Sequence, residues 1–183
     1  IGLYDFAKNF GKPYLEKHFR RLSYKQKAAG QKEWVIESVG DPSGMNSSGL
    51  VKDSLNYFDI LNSSKYGLFN GWFTTKPAKN NNIELRLNAV RHYLTAKTPK
   101  GSPMLQLDRR CSVLRRGFNA GYVYKRMQVS GTARYQDKPD KNDFSHPHDA
   151  LQYICLHIHP NYQKLKQHTE FVARTTVDAL TNY

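Results

Sequence analysis

Residues 34–44 read Trp34-Val35-Ile36-Glu37-Ser38-Val39-Gly40-Asp41-Pro42-Ser43-Gly44. An apolar run meets a dense cluster of turn formers, which predicts a strand over 34–39 that ends abruptly in a turn. Downstream, residues 51–61 read as a helix with Val51, Leu55, Phe58 and Leu61 on one face, and residues 71–75 as a second short strand. A clearer helix is expected from Asn82 to Ala96, where Ile83, Leu87, Val90 and Leu94 form an apolar stripe while Arg86, Asn88 and Arg91 point elsewhere. Pro103 leads a third expected strand over residues 104–107, closed by Asp108, and a short helix through Ser112 and Leu114 ends near Gly117. Residues 122–129 alternate and meet Ser130-Gly131 before residues 132–135, a β-hairpin signal. The last helix begins near Ser145, carries Leu151, Ile154, Cys155 and Ile158, and stops at Pro160. Strands alternating with helices argue for an α/β layered fold.

Upstream, Phe6, Phe10, Tyr14, Leu15 and Phe19 recur at helical spacing, with a break or kink expected at Gly11-Lys12-Pro13. Arg20, Arg21, Lys25, Lys27 and Lys32 follow, either a solvated connector or a contact to a nucleic-acid backbone. Past Pro160 lies a weakly amphipathic tail with Leu165, Val172 and Leu180. The expected organisation is one domain over residues 1–160 and a tail over 161–183.

The chain has 183 residues, 28 Lys and Arg against 15 Asp and Glu, and a formal net charge of +13. Like charges repel in a compact state, so this excess points to a polyanionic partner, nucleic acid by default. A ribosomal-type role, an acidic protein partner and simple solubility are the alternatives. Cys111 and Cys155 lie far apart with no CxxC, and read as small hydrophobes of a reduced, intracellular protein. No run of eighteen apolar residues and no signal peptide occur, which predicts a soluble chain.

Two acids stand out. Asp41 falls at the carboxyl end of a strand, where α/β folds place ligand-binding groups, although Asp and Pro are also ordinary turn formers. Asp149 lies early in a partly buried helix, three residues after His146; helix-dipole complementarity and function explain it equally well. Were folding to bring the two carboxylates together, their repulsion would be relieved by divalent cations. Oxygen ligands favour Mg²⁺ or Mn²⁺, two of which can activate water and stabilise the leaving oxygen in phosphodiester cleavage. His146, His148, His157 and His159 match no closed zinc spacing. Neither a GxSxG elbow nor a GxxxxGK[ST] loop is present, which disfavours a serine hydrolase and a P-loop ATPase.

Four segments in order carry a resemblance. They are Val39-Gly40-Asp41-Pro42-Ser43-Gly44; Asn82-Ile83 with Arg86 and Ala89-Val90-Arg91; Leu107-Asp108 with Cys111, Gly117-Phe118 and Gly121-Tyr122; and Ser145-His146-Pro147-His148-Asp149-Ala150-Leu151-Gln152-Tyr153. Over about residues 3 to 160 the chain resembles the nuclease domain of tailed-bacteriophage terminase large subunits. That resemblance implies a ribonuclease H-like mixed central sheet flanked by helices, with a β-hairpin near the active site. It implies endonucleolytic cleavage of double-stranded viral DNA during packaging, with two Mg²⁺ or Mn²⁺ ions as cofactors. Asp41 matches the family's second metal-binding acid, Asp149 the third, and His146 a histidine that often precedes it. Lys125, Arg126, Arg134, Lys138 and Lys141, on and beside the hairpin, are the expected DNA contacts.

The implied partners are DNA, an ATPase domain upstream in the same polypeptide, the portal protein and the small terminase subunit, with no membrane. The implied setting is the packaging complex in the host cytoplasm. The family's first acid has no counterpart, since Asp5 sits inside the opening helix, so the natural protein is expected to continue upstream. An intact mass for the native product that begins at Ile1 would refute this. Two other readings fit the residues: a non-catalytic DNA-binding or docking module of the packaging motor, and another ribonuclease H-like nuclease such as a resolvase or transposase.

Overall fold

A computed structural model describes residues 3–17, 36–46, 55–63, 73–127 and 134–161. The basic stretch over residues 20–32, Trp34-Val35, Val51, Gly71-Trp72, Ser130-Gly131 and residues 162–183 of the tail lie outside them. The described residues form a mixed α/β structure in two compact units, which divide between Ala78 and Lys79.

In the first unit, strand β1 (Ile36–Gly40) pairs in parallel with β2 (Phe73–Pro77), Ile36 opposite Phe73 and Gly40 opposite Pro77. Parallel partners need a crossover, and helix α2 (Tyr57–Asn62) lies within it. α2 starts on a capping box: the Asp59 amide donates to Asn56 Oδ1 at 2.9 Å and the Asn56 amide to Asp59 Oδ2 at 3.2 Å. At its other end the Asn62 side chain stands in for a strand, accepting from the Thr75 amide at 2.9 Å and donating to the Thr75 carbonyl at 3.0 Å. Thr75 backbone groups that have no strand partner among the described residues are satisfied in this way.

The opening helix, α1, runs over residues 3–17 without a break at Gly11-Lys12-Pro13, and it widens into a π-helical turn at Ala7–Gly11. The Lys12 amide there reaches back five residues to the Ala7 carbonyl. The wider turn lies just before Pro13, which has no N–H and crowds the preceding turn. Phe6, Phe10 and Tyr14 are exposed, and the buried contact is made by Ala7 against Phe73, with Leu15, Ile36 and Leu61 around them.

In the second unit, helices α3 (Ile83–Thr95) and α5 (Ser145–Ile158) pack together around Leu85, Ala89, Val90, Tyr93, Cys155 and Leu156. Asn82 caps α3 by accepting from the Glu84 and Leu85 amides. The helix has the predicted span but a different inner face. Leu85, Arg86, Ala89, Val90 and Tyr93 are buried, whereas Leu94 is 48% exposed. Ala89 has the small side chain that lets α5 approach closely, so the buried stripe follows it rather than the bulkier Ile83, Leu87 and Leu94. On α5, likewise, Ile158 is exposed and Leu156 takes the fully buried place.

The strand expected over residues 104–107 does not form. The Met104 and Leu105 amides donate instead to the Ala96 and Tyr93 carbonyls at the end of α3, which the helix itself leaves open. Leu105 thereby packs against the α3–α5 core. Helix α4 (Ser112–Arg116) continues into a π-helical turn, Gly117–Gly121. The predicted hairpin is present as β3 (Arg126–Met127) antiparallel to β4 (Arg134–Tyr135), and the Gln136 amide to Lys125 carbonyl and Asp140 amide to Val123 carbonyl bonds extend the pairing of its arms. Among the described residues the sheets are thus one parallel pair and one hairpin. No described helix is long and apolar enough to cross a membrane.

Candidate functional site

The start of α5 is built by Asn142. Its carboxamide oxygen accepts the Phe144 amide at 2.9 Å, its carbonyl accepts the Ser145 hydroxyl at 2.6 Å, and its amide nitrogen donates to the Gly121 carbonyl at 2.9 Å. One residue, through its side chain and its main-chain carbonyl, therefore ends the preceding loop, opens the helix and ties it to the π-turn. Pro147 sits in the first turn of α5, where its missing N–H has no helical partner to lose.

Four residues into this helix, Asp149 meets two cations. Arg86 of α3 donates from Nη1 to Oδ1 at 3.1 Å, and Lys141 donates from Nζ to Oδ2 at 2.8 Å. The two differ in setting. The side chains of Arg86 and Asp149 are 9% and 17% exposed, while that of Lys141 is 74% exposed. Arg86 also lies over the Tyr153 ring at 4.5 Å, and Tyr153 donates to Asn81 at 2.6 Å. The guanidinium is fixed from two sides, and its buried Nε has no hydrogen-bond partner among the described residues.

These groups border a cavity of about 510 Å³, whose walls include Asn82, Glu84 and Arg86 from the start of α3, Lys138 and Lys141 from the segment before α5, and Asp149. Three cationic side chains thus share one concave surface with two carboxylates. The predicted Asp149, Lys138 and Lys141 come together here. Arg86, Glu84 and Tyr122 join them without having been assigned a role from sequence. Arg86 stood within a quoted motif, but an expected outward direction hid it.

Within the second unit, the predicted His146, Lys125, Arg126 and Arg134 lie outside the cavity wall. His146 is exposed, one turn before Asp149, and is not part of the cavity wall. Arg126 and Arg134 are exposed on the hairpin, and Lys125 pairs with Asp140 at 2.8 Å. Asp41 belongs to the first unit. It sits at the carboxyl end of β1 as expected, is exposed, and its Oδ1 accepts the Ser43 amide at 2.9 Å to cap the short 3₁₀ turn Pro42–Met45. That bond is the turn-forming use of aspartate.

An aromatic stack centred on the buried His148 supports α5 from behind. The His148 ring lies parallel to Tyr122, with centroids 4.7 Å apart, and edge-on to Phe118. Its Nε2 is 3.2 Å from the Leu114 carbonyl, and burial pushes its pKa down. Gln152 donates to the Tyr122 hydroxyl at 3.0 Å, and burial pushes that phenol's pKa up. The ring fits only because residue 117 is glycine: a Cβ there would overlap His148 Nε2, and one at Gly121 would come within 2.5 Å of the Phe144 ring. His159 is engaged separately, its Nδ1 accepting the Asn161 amide and its ring against His92. The histidines considered for zinc therefore serve different local structures, and the described residues contain no group of three His, Cys, Asp or Glu placed to share a metal.

Do the residues around the cavity fit a divalent cation? Asp149 and Glu84 both line it and oxygen donors suit Mg²⁺ or Mn²⁺, but Arg86, Lys138 and Lys141 share the same wall and oppose a cation. Mg²⁺ commonly uses one or two carboxylates and completes its shell with water and phosphate, so a full protein cage is not required. Both Asp149 oxygens are already paired, Oδ1 with Arg86 and Oδ2 with Lys141. No protein-family model matches the chain, and no curated protein or solved structure is similar enough to it to serve as a relative.

Proposed function

We propose that the chain is a metal-dependent endonuclease acting on double-stranded DNA, of the ribonuclease H-like kind found in phage terminase large subunits. The observation that carries this reading is the Asp149 carboxylate set among Arg86, Lys138 and Lys141 at one cavity. A cavity that only bound phosphate would gain from cations alone, and a carboxylate on its wall would repel the ligand. A carboxylate beside cations is useful when a divalent ion must sit next to a phosphodiester.

In this reading Asp149 would hold a divalent cation, which when bound would supply activation of water and charge compensation at the phosphate. Arg86 fixes the carboxylate through Oδ1, and Tyr153 holds Arg86 in place. Lys138 and Lys141 hold the DNA backbone, which carries no base information, so cutting is expected with little sequence preference. The second metal ligand, Asp41, rests on the motif resemblance, as do the second ion, the role of His146, the hairpin contacts by Lys125, Arg126 and Arg134, and the packaging partners.

The competing reading, a non-catalytic DNA-binding module, is favoured by one fact: Asp149 is already neutralised by two side chains. Nicking of supercoiled plasmid with Mg²⁺ or Mn²⁺ separates the two. The parent is expected to nick and Asp149→Ala to lose at least most of that activity; a parent that binds duplex but never nicks it, or an Asp149→Ala that nicks equally, overturns the proposal. Preferential cutting of branched DNA would move the assignment to a resolvase.

A further inference from the structure

We propose that the second unit holds an unpaired nucleobase in a small aromatic pocket beside the cationic cavity, while the phosphate attached to it lies against Arg86, Lys138 and Lys141. The proposal rests on the nucleic-acid part of the nuclease reading and adds to it a preference for DNA that is locally unpaired.

The pocket has a volume of about 180 Å³ and takes Leu87, Val90 and Leu94 from α3, Phe118 from the π-turn, and Tyr124. Pockets for drug-sized ligands begin at about 300 Å³, so this one suits a group no larger than a single ring system. Its wall is partly open to solvent, Leu94 being 48% exposed and Phe118 37%. A ring that enters covers this apolar surface and meets the aromatic side chains of Phe118 and Tyr124. Two polar groups share the wall. Arg91 is exposed and bonded to Asn88 at 2.7 Å. Gln152 is 2% exposed, and its buried Oε1 has no hydrogen-bond partner among the described residues.

Charge decides between a base and any other ring. Tyr122 and Pro139 line both this pocket and the cavity that holds Arg86, Lys138 and Lys141, so the ring site and the cations adjoin. Arg86 and Lys141 both pair with Asp149 and outnumber its charge. A nucleotide joins a ring to a phosphate in this way, whereas an aromatic side chain of a protein partner brings no anion of its own. The formal net charge of +13 favours the same occupant. A base inside a duplex is stacked and paired and does not reach such a pocket; one that is frayed, bulged or single-stranded does. Stacking on aromatic side chains tolerates every base, which agrees with cutting that has little sequence preference.

Binding of the 183-residue chain to three labelled DNAs, read by fluorescence anisotropy, tests the proposal. They are a duplex with one bulged adenine, the same duplex with an abasic residue at the bulge, and the fully paired duplex. The bulged adenine is expected to bind about five- to tenfold more tightly than either, the lower end of what one base–aromatic stack contributes. Phe118→Ala and Leu94→Glu are expected to abolish that preference. Leu94 stands on an exposed helix position, so its variant keeps the fold even where loss of the Phe118 contact with His148 loosens the π-turn. Lys138→Met is expected to weaken binding of all three DNAs alike and leave the preference intact, since phosphate contacts carry no base information.

Equal affinity for the bulged and abasic duplexes, or a preference that survives both Phe118→Ala and Leu94→Glu, would overturn the base pocket and leave the nuclease reading standing. If the parent binds none of the three DNAs, both fall.

Discussion

The turn after β1 and the junction between the π-turn and α5 are assembled from the same parts and differ in how far apart in sequence those parts lie. Each carries an acid, and each presses glycines against an aromatic ring. In the first, Asp41 bonds Ser43 two residues away, and a Cβ on Gly40 would come no nearer than 3.3 Å to Phe58. In the second, Asp149 bonds Arg86 from another helix, and a Cβ on Gly117 would overlap the His148 ring. In the first region the acid caps its own turn, and the glycines meet a Phe58 ring that need yield by only a few tenths of an ångström. The second needs tertiary structure to account for every part, which is why a functional assignment attaches to Asp149 with more physical support than to Asp41.

Substitutions at the glycines test this contrast most severely. Gly117→Ala must displace His148 from between Tyr122 and Phe118, an overpacking expected to destabilise the second unit by about 3 kcal/mol. Gly40→Ala asks the Phe58 ring to yield by a few tenths of an ångström, and about 1 kcal/mol or less is expected. Urea denaturation with a near-ultraviolet signal reads both. Equal losses at the two positions would mean that the π-turn is not the rigid seat of α5.

The acids come next. Asp149→Ala leaves the Arg86 guanidinium buried without its carboxylate, and about 2–3 kcal/mol should be lost, somewhat below a fully buried pair because part of the site is open to water. Asp41→Ala removes a cap from a short exposed turn and should lower stability by about 1 kcal/mol. A measured order of Asp41 above Asp149 would break the comparison. If Arg86→Met restores much of the stability lost in Asp149→Ala, the stranded charge is the cause.

What could be read from the sequence follows the same division. The span of α3, the end of β1 on Asp41, the hairpin and the whole of α5 were legible because their signals are local: a cap at Asn82, a Gly-Asp-Pro cluster, alternation, a stop at Pro160. The buried face of α3 was not. Ile83, Leu87, Val90 and Leu94 make the stronger apolar pattern, and nothing near Ala89 announces that a small residue will admit another helix. Arg86 was misread for the same reason, since its burial depends on Asp149 and Tyr153, both more than sixty positions away. Residues 104–107 have strand composition, yet their amides are captured by helix-end carbonyls that only the folded chain presents. Asp149 was noticed as a candidate, but its ion pairs could not be, because charge pairing across elements leaves no trace in spacing.

The smallest expected effect is a pH dependence confined to the second unit. Burial holds the His148 imidazole below its ordinary pKa, against a smaller opposing pull from the Leu114 carbonyl and Asp149. Unfolded, the same ring takes up a proton near pH 6.5. As pH drops below that value the unfolded chain binds a proton that the folded chain does not, so folding stability falls, and it goes on falling until the folded ring titrates. His159, also depressed by burial, acts with the same sign. His148→Gln should therefore flatten, without abolishing, the loss of stability between pH 7 and 5.5, a window above the range in which unpaired carboxylates titrate. Denaturation midpoints across that window provide the measurement. An undiminished slope in His148→Gln would show that the ring accepts its proton while still stacked on Tyr122, and that the seat of α5 is looser than its glycines imply.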